Sequence, residues 1–193
     1  MTSTVTGLRE RKRGRVAVEL DGRPWRVLPV DAVVRTGLAV GRLLDRHTAR
    51  ELARELRRAR ALAGATRTLA ASGRSRGELE QRLARAGHAP EAREEALATL
   101  DRSGLVDDLR LAQSRAEHMA RRGYGDAAIR ADLKKRLIPS EAVAEAIASL
   151  EPEVDRARRF LDTGALSAKT VRRLGSRGFS RQTIDEIATA FAE

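Results

Sequence analysis

The stretch SRGELEQRLARAGHAPEAREEALATL, Ser75–Leu100, decides the fold. Ser75 and Glu78 have the spacing of a capping box, where a hydroxyl and a carboxylate satisfy free backbone N–H groups at a helix start. Leu79 and Leu83 follow one turn apart, and Gly87 closes this short helix. Pro90 opens a second helix, with Ala96, Leu97 and Leu100 on its inner side and Gly104 past its end. The spacing then recurs twice. Leu83 matches Leu133 and Leu174, and four residues on Gly87 matches Leu137 and Gly178. His88, Ile138 and Phe179 come next, followed by Arg93, Val143 and Ile184. Ala96, Ala146 and Ile187 continue the series, and Leu100, Leu150 and Phe191 end it. The copies lie 50 and 41 residues apart with no gap inside the span.

A longer helix is predicted before each copy, at roughly 48–72, 106–122 and 153–163. The first carries Leu52, Leu56, Ala59, Leu62, Thr66 and Leu69 on one face and starts at a capping box of Thr48 and Glu51. The unit is thus one longer helix and two short ones joined by a tight turn. The predicted fold is mainly α: three tandem three-helix repeats at 46–104, 105–150 and 151–193, stacked as an elongated curved rod. Aromatics are only 3% of the chain, which suits several thin helical contacts better than one thick core.

Residues 1–45 differ: a basic arm, a β-hairpin and a short helix. In RGRVAVELDGRPWRVLPV, Arg13–Val30, Val16, Val18 and Leu20 alternate with Ala17 and Glu19, which is strand periodicity. Asp21-Gly22 is hairpin-turn chemistry. The predicted apolar face is Val16, Val18, Trp25 and Val27, with Trp25 a packing residue rather than a base stacker. The run Arg9–Arg15 has two readings. One is a flexible basic arm that contacts phosphates or an acidic groove, and the other is a solvated, disordered terminus.

The formal charge is +11 and uneven. Residues 1–74 hold 17 Lys or Arg against 7 Asp or Glu, while residues 75–193 hold 21 against 20. Such a field attracts polyanions. There is no cysteine, and His47, His88 and His118 lie far apart, so no zinc site and no Ser-His-Asp arrangement is expected. No apolar run approaches the roughly 20 residues that cross a bilayer. MTSTVTGLRERKRGR, Met1–Arg15, lacks the apolar centre of a signal peptide, so the expectation is a cytoplasmic protein with no membrane partner.

Four motifs invite chemistry and decline it. Gly123-Tyr124-Gly125 follows a helix and lacks the Lys-Ser/Thr of a phosphate loop, so Asp126 is expected to cap a helix and Tyr124 to pack between units. Asp107-Asp108 has no third carboxylate in register and suits a helix start better than a Mg²⁺ site. The short helix pairs resemble helix-turn-helix elements, but the helices at 90–100 and 140–150 carry acids outward, which repel DNA. Lys134-Lys135-Arg136 suits the C-terminal end of a helix dipole. The expectation is a non-enzyme with no cofactor.

SRGELEQRLARAG…ALATLDRSGLVDD (Ser75–Asp108) and RRGYGDAAIRADLKKRLIPSEAVAEAI (Arg121–Ile147) resemble the regulatory protein RecX family. Leu137 departs from the family's usual glycine, and Leu109 and Leu111 from its usual acid and Phe. The resemblance implies tandem three-helix repeats and a modulator of the RecA recombinase, acting in DNA repair and the SOS response, and the expectation is a monomer. Such proteins bind the RecA filament on single-stranded DNA, lie in its groove, and limit filament growth, ATPase, strand exchange and coprotease activity. The contacts expected here are Arg9, Arg11, Lys12, Arg13, Arg15, Arg50, Arg54, Arg57 and Arg58. The alternative is a general basic DNA-binding protein without RecA specificity, and weak direct DNA binding is compatible with either. A membrane-surface role is disfavoured, because the apolar face of helix 48–72 is Leu and Ala without Trp or Phe.

Overall fold

The computed structural model describes residues 2–159 and 167–190. The chain divides into two compact units, one from Met1–Ser72 and Leu79–Leu105, the other from Gly73–Glu78 and Val106–Glu193.

The first unit opens with a sheet rather than an arm. Strands β1 (Ser3–Arg11), β2 (Arg15–Leu20), β3 (Arg23–Pro29) and β4 (Leu43–Leu44) form a sheet in the order β3-β2-β1-β4, every neighbouring pair antiparallel. Helix α1 (Val30–Arg35) follows β3. The Arg9–Arg15 run is therefore part of the sheet rather than a free arm or an unstructured terminus. Arg9 and Arg11 belong to β1, Lys12-Arg13-Gly14 make the turn, and Arg15 starts β2. Ser3, Thr4, Val5 and Thr6, residues that suit a pleated surface, carry β1 into the sheet.

The Asp21-Gly22 turn forms as expected, with both residues at positive φ (49° and 78°). The predicted apolar face is half right. Val16 and Val18 are buried, but the register sets Val16 opposite Leu28 and Val18 opposite Arg26. Leu28 is therefore the buried residue of β3, while Val27 points away and is 47% exposed. The register slips between Val18 and Glu19, where Glu19 faces Pro24 and Trp25 becomes the extra residue of a bulge. Val5, Val16, Val18 and Leu28 close a small core with Ala32, Val33, Leu38 and Leu52.

Helix α2 (Arg46–Ala71) is capped by Asp45, whose carboxylate accepts from the Thr48 N–H at 2.8 Å. Thr48 is buried in the first turn and is not the cap, so the expected Thr48–Glu51 box does not form. Nor does α2 keep one apolar face. It buries Leu52 towards the sheet, then Ala61 and Ala65 further along, Ala61 packing on Ala92 and Ala96 of α4 (Pro90–Arg102).

Helices α3 (Arg76–Arg85), α5 (Asp108–Arg121), α6 (Asp126–Lys135), α7 (Ser140–Ala148), α8 (Glu153–Arg158), α9 (Ala168–Ser176) and α10 (Arg181–Ala190) complete the chain, which is mostly helical with a recurring helix pattern. The residues matched in sequence behave alike. Leu83, Leu133 and Leu174 are all buried, as are Ala96, Ala146 and Ile187. Gly87, Leu137 and Gly178 all take positive φ, at 77°, 57° and 80°. Phe191, and most of the helix expected to run to residue 163, lie outside the described residues.

At the starts of α3 and α6 a backbone N–H is held by a carboxylate from further along the chain, whereas α9 is capped locally by Ser167. The Ser75–Glu78 box forms as expected, with the Glu78 N–H donating to Ser75 at 3.0 Å and the Ser75 N–H to Glu78 at 3.1 Å. The Arg76 N–H donates to Asp108, the first residue of α5, at 2.8 Å. Asp107 caps α5 itself through the Arg110 N–H at 2.9 Å. One group later, the Asp126 N–H donates to Glu153, the first residue of α8, at 2.6 Å. Asp126 is thus not the cap of α6. It lies inside the first turn, and its side chain pairs with Arg156.

Candidate polyanion interface

The basic excess of residues 1–74 is displayed on α2 and the sheet. Positions 46, 50, 57, 60 and 67 of α2 share one stripe of the helix, and all five are arginine. The five are exposed, and Glu51 and Glu55 lie off the stripe. Arg60 and Arg67 edge a groove of about 740 Å³ inside the first unit. Helix α2 contributes Leu56, Ala59, Arg60, Ala63 and Arg67, and strand β3 contributes Arg26, Val27, Leu28 and Pro29. Arg15 and His88 complete the lining, which contains no acidic residue.

The nine residues singled out in the sequence part company here. Arg15 lines the groove, where its guanidinium donates to the Val27 carbonyl at 3.1 Å. Arg50 and Arg57 are on the open stripe. Arg9 pairs with Glu19 at 3.6 Å yet stays 73% exposed, and Arg11, Lys12 and Arg13 ride on the β1–β2 turn. Arg54 and Arg58 are occupied internally. Arg54 bonds Glu95, whose hydrogen bond and charge hold the guanidinium still more firmly protonated. Arg58 is nearly covered, between Glu55 at 3.1 Å and Glu95 at 3.8 Å. These two organise α2 against α4, and Arg54 stays 66% exposed.

Sequence reasoning missed Arg26, Arg60, Arg67 and His88. The signal for Arg60 and Arg67 was present, since 46, 60 and 67 are multiples of seven apart and recur on one helix face. Proximity along the chain favoured the Arg50–Arg58 cluster instead. Among the described residues no three His, Cys, Asp or Glu side chains converge as metal ligands. Among them, too, no helix is long and apolar enough to cross a membrane.

Comparison with known proteins settles the lineage. The regulatory protein RecX of Chromohalobacter salexigens is 36% identical over 129 residues, which is 62% of this chain and 85% of that protein. The chain belongs to the RecX family. RecX of Mycobacterium leprae is 30% identical over 138 residues, 64% of this chain and 81% of that one. The family model for the RecX second three-helix domain matches residues 107–147, the span of α5, α6 and α7. A crystal structure of a regulatory protein RecX superposes with a TM-score of 0.83 at 19% identity, covering 97% of this chain and 99% of that one. RecX from Lactobacillus salivarius gives 0.61 at 21% identity, covering 70% and 97%. RecX proteins are non-enzymatic regulators, and this chain is one of them.

Proposed function

We propose that this protein limits RecA by binding the RecA filament on single-stranded DNA within the filament's groove. There it restrains filament growth, ATPase, strand exchange and coprotease activity. Membership of the RecX family supports the general role of RecA modulation. The observation that carries the finer reading is the open arginine stripe of α2 beside a groove without acids. A filament offers acidic protein faces and phosphates at regular intervals. A monomer with several weak cationic contacts gains affinity by engaging several of them at once. We read the chain as an N-terminal segment, 1–45, and three three-helix repeats, 46–104, 105–150 and 151–193. Neighbouring protomers then have more than one place to hold.

The test is RecA's single-stranded-DNA-dependent ATPase. This protein suppresses it at amounts well below one copy per RecA protomer. An unchanged ATPase and unchanged strand exchange at equimolar protein would sink the proposal.

The arginine stripe also favours a second reading, a general DNA-binding protein. That reading requires tight binding of bare DNA with a steep salt dependence and no preference for RecA-coated DNA. Negligible binding of bare DNA at physiological salt removes it.

A further inference from the structure

The geometry points to a docking site in the β3–α2 groove for an acidic protein segment with apolar anchors. The groove carries two kinds of surface. Arg15, Arg26, Arg60 and Arg67 supply four guanidinium groups, and no carboxylate lines it. Between them lie Val27, Pro29 and the half-buried Leu56, with the core residue Leu28 beneath, and Val27 is an aliphatic side chain 47% open on a sheet. A nucleic-acid strand uses the cations but leaves the apolar strip unmatched. It also needs rings on which to stack its bases, and the lining has none except the imidazole of His88. A purely acidic chain leaves the same strip wet. A segment that alternates carboxylates with Leu-like side chains satisfies both surfaces, with apolar burial adding to charge complementarity. Prolines at positions 24 and 29 remove two backbone donors from β3, so the occupant sits between strand and helix rather than joining the sheet. This site rests on the RecA reading for the identity of the partner and on the groove alone for its chemistry.

The full-length protein tests this with three labelled probes at physiological salt. The first is a peptide of Glu and Leu at helical spacing, about 20 residues long. The second replaces every Leu by Ser, and the third is an oligo-dT of equal charge. Fluorescence anisotropy reads binding. The single tryptophan, Trp25, gives a second readout, because Arg26 of the groove stacks over its ring at 5.2 Å. The Glu–Leu peptide is expected to bind and to shift Trp25 emission. The Ser peptide binds at least about tenfold more weakly, since several methylene-rich side chains are lost. Arg60→Glu with Arg67→Glu costs the Glu–Leu peptide at least about tenfold, while Arg130→Glu, exposed in the second unit, changes nothing. Val27→Ser, which leaves the charges alone, weakens the Glu–Leu peptide as well. Circular dichroism verifies that each variant is folded.

Equal binding of the Ser peptide overturns the inference in favour of plain electrostatics. Tighter binding of oligo-dT, lost in the Arg60/Arg67 variant, overturns it in favour of nucleic acid. If wild-type protein inhibits RecA ATPase and the Arg60/Arg67 variant inhibits equally, this inference falls and the RecA reading stands. If the peptide binds as expected and RecA is unaffected by wild type, the RecA reading falls alone.

Discussion

Leu137 takes a left-handed backbone at φ 57°, and it does so directly against Gly77. A Cβ on Gly77 would lie 2.6 Å from the Leu137 Cβ and 2.7 Å from its carbonyl oxygen. The matching turn downstream has Gly178 at φ 80°, and there the opposing helix carries Ala127 and Ala128. At the first junction the close approach is to Gly77 of the facing helix, and at the second it is between Gly178 and both Gly125 and Ala128. Gly77→Ala is therefore expected to destabilise the second unit by about 1–3 kcal/mol through overpacking. Leu137→Gly in the same chain restores part of that loss, with a coupling of at least about 0.5 kcal/mol. Urea denaturation of the two single variants and the double variant measures it, and simple additivity contradicts this pairing.

Those close approaches mark the limit of what the sequence discloses. The spacing of Leu83, Leu133 and Leu174 was legible because a buried leucine in a short helix leaves a period. So were the Asp21-Gly22 turn and the Ser75–Glu78 box, since each is closed by residues at most three apart. The sheet was half legible. β2 alternates cleanly, but β1 mixes charge with Thr and Val, and the bulge at Trp25 reverses the inward side of β3. Asp126 looked like a cap because it precedes a helix, yet its cap is Glu153, 27 residues away. The groove was least legible, because Arg15, Arg26 and Arg67 meet only when β3 and α2 are in place.

Arg57 and Arg58 are adjacent in sequence and opposite in role. Arg58→Ala removes the cation shared by Glu55 and Glu95, which keep Arg35 and Arg54, and costs about 1 kcal/mol of stability. Arg57→Ala, on the open stripe, changes stability by no more than about 0.5 kcal/mol. If the proposed filament binding holds, Arg57→Ala is expected to weaken that binding and to lower its salt slope by about one. Thermal denaturation and salt-titrated binding of both variants distinguish them, and a stable Arg58→Ala protein contradicts the assignment.

Two partly buried carboxyls tie the second unit to pH. Burial pushes the Glu153 carboxyl up, but hydrogen bonds from Thr183, the Asp126 N–H and Ser180 outweigh burial and hold it below its ordinary 4.5. Asp132 is likewise held low, chiefly by the two hydrogen bonds from Arg115 at 2.9 and 3.0 Å. For a carboxyl depressed by folding, the stabilisation is complete above the unfolded value and disappears as pH falls through the folded one. Stability is thus expected to be flat through neutrality and to decline as pH drops below about 4.5. Glu153→Gln starts less stable at pH 7 and declines less steeply. Urea midpoints across pH 3–7 test this, and parallel curves for variant and wild type count against Glu153.

Arg156 gathers the seam that Gly123-Tyr124-Gly125 begins. It is 5% exposed, and its guanidinium donates to the Glu151 carbonyl at 2.9 Å, to the Tyr124 carbonyl at 3.0 Å, and to the Asp126 carboxylate. Arg177 adds to the same place, 5.7 Å over the Tyr124 ring, with its guanidinium donating to the Arg122 carbonyl at 2.7 Å. Arg156→Ala strands two carbonyls and a carboxylate, at a cost on the order of 3 kcal/mol. Arg156→Lys keeps the charge but has no planar fork, so it reaches fewer of the three acceptors and recovers less than half of the loss. Hydrogen exchange at Asp126 and Ala127 should rise in both variants, because the same seam holds the Ala127 N–H on the Gly178 carbonyl at 3.1 Å. A lysine variant as stable and as protected as wild type would show that charge alone, not the fork, fixes this seam.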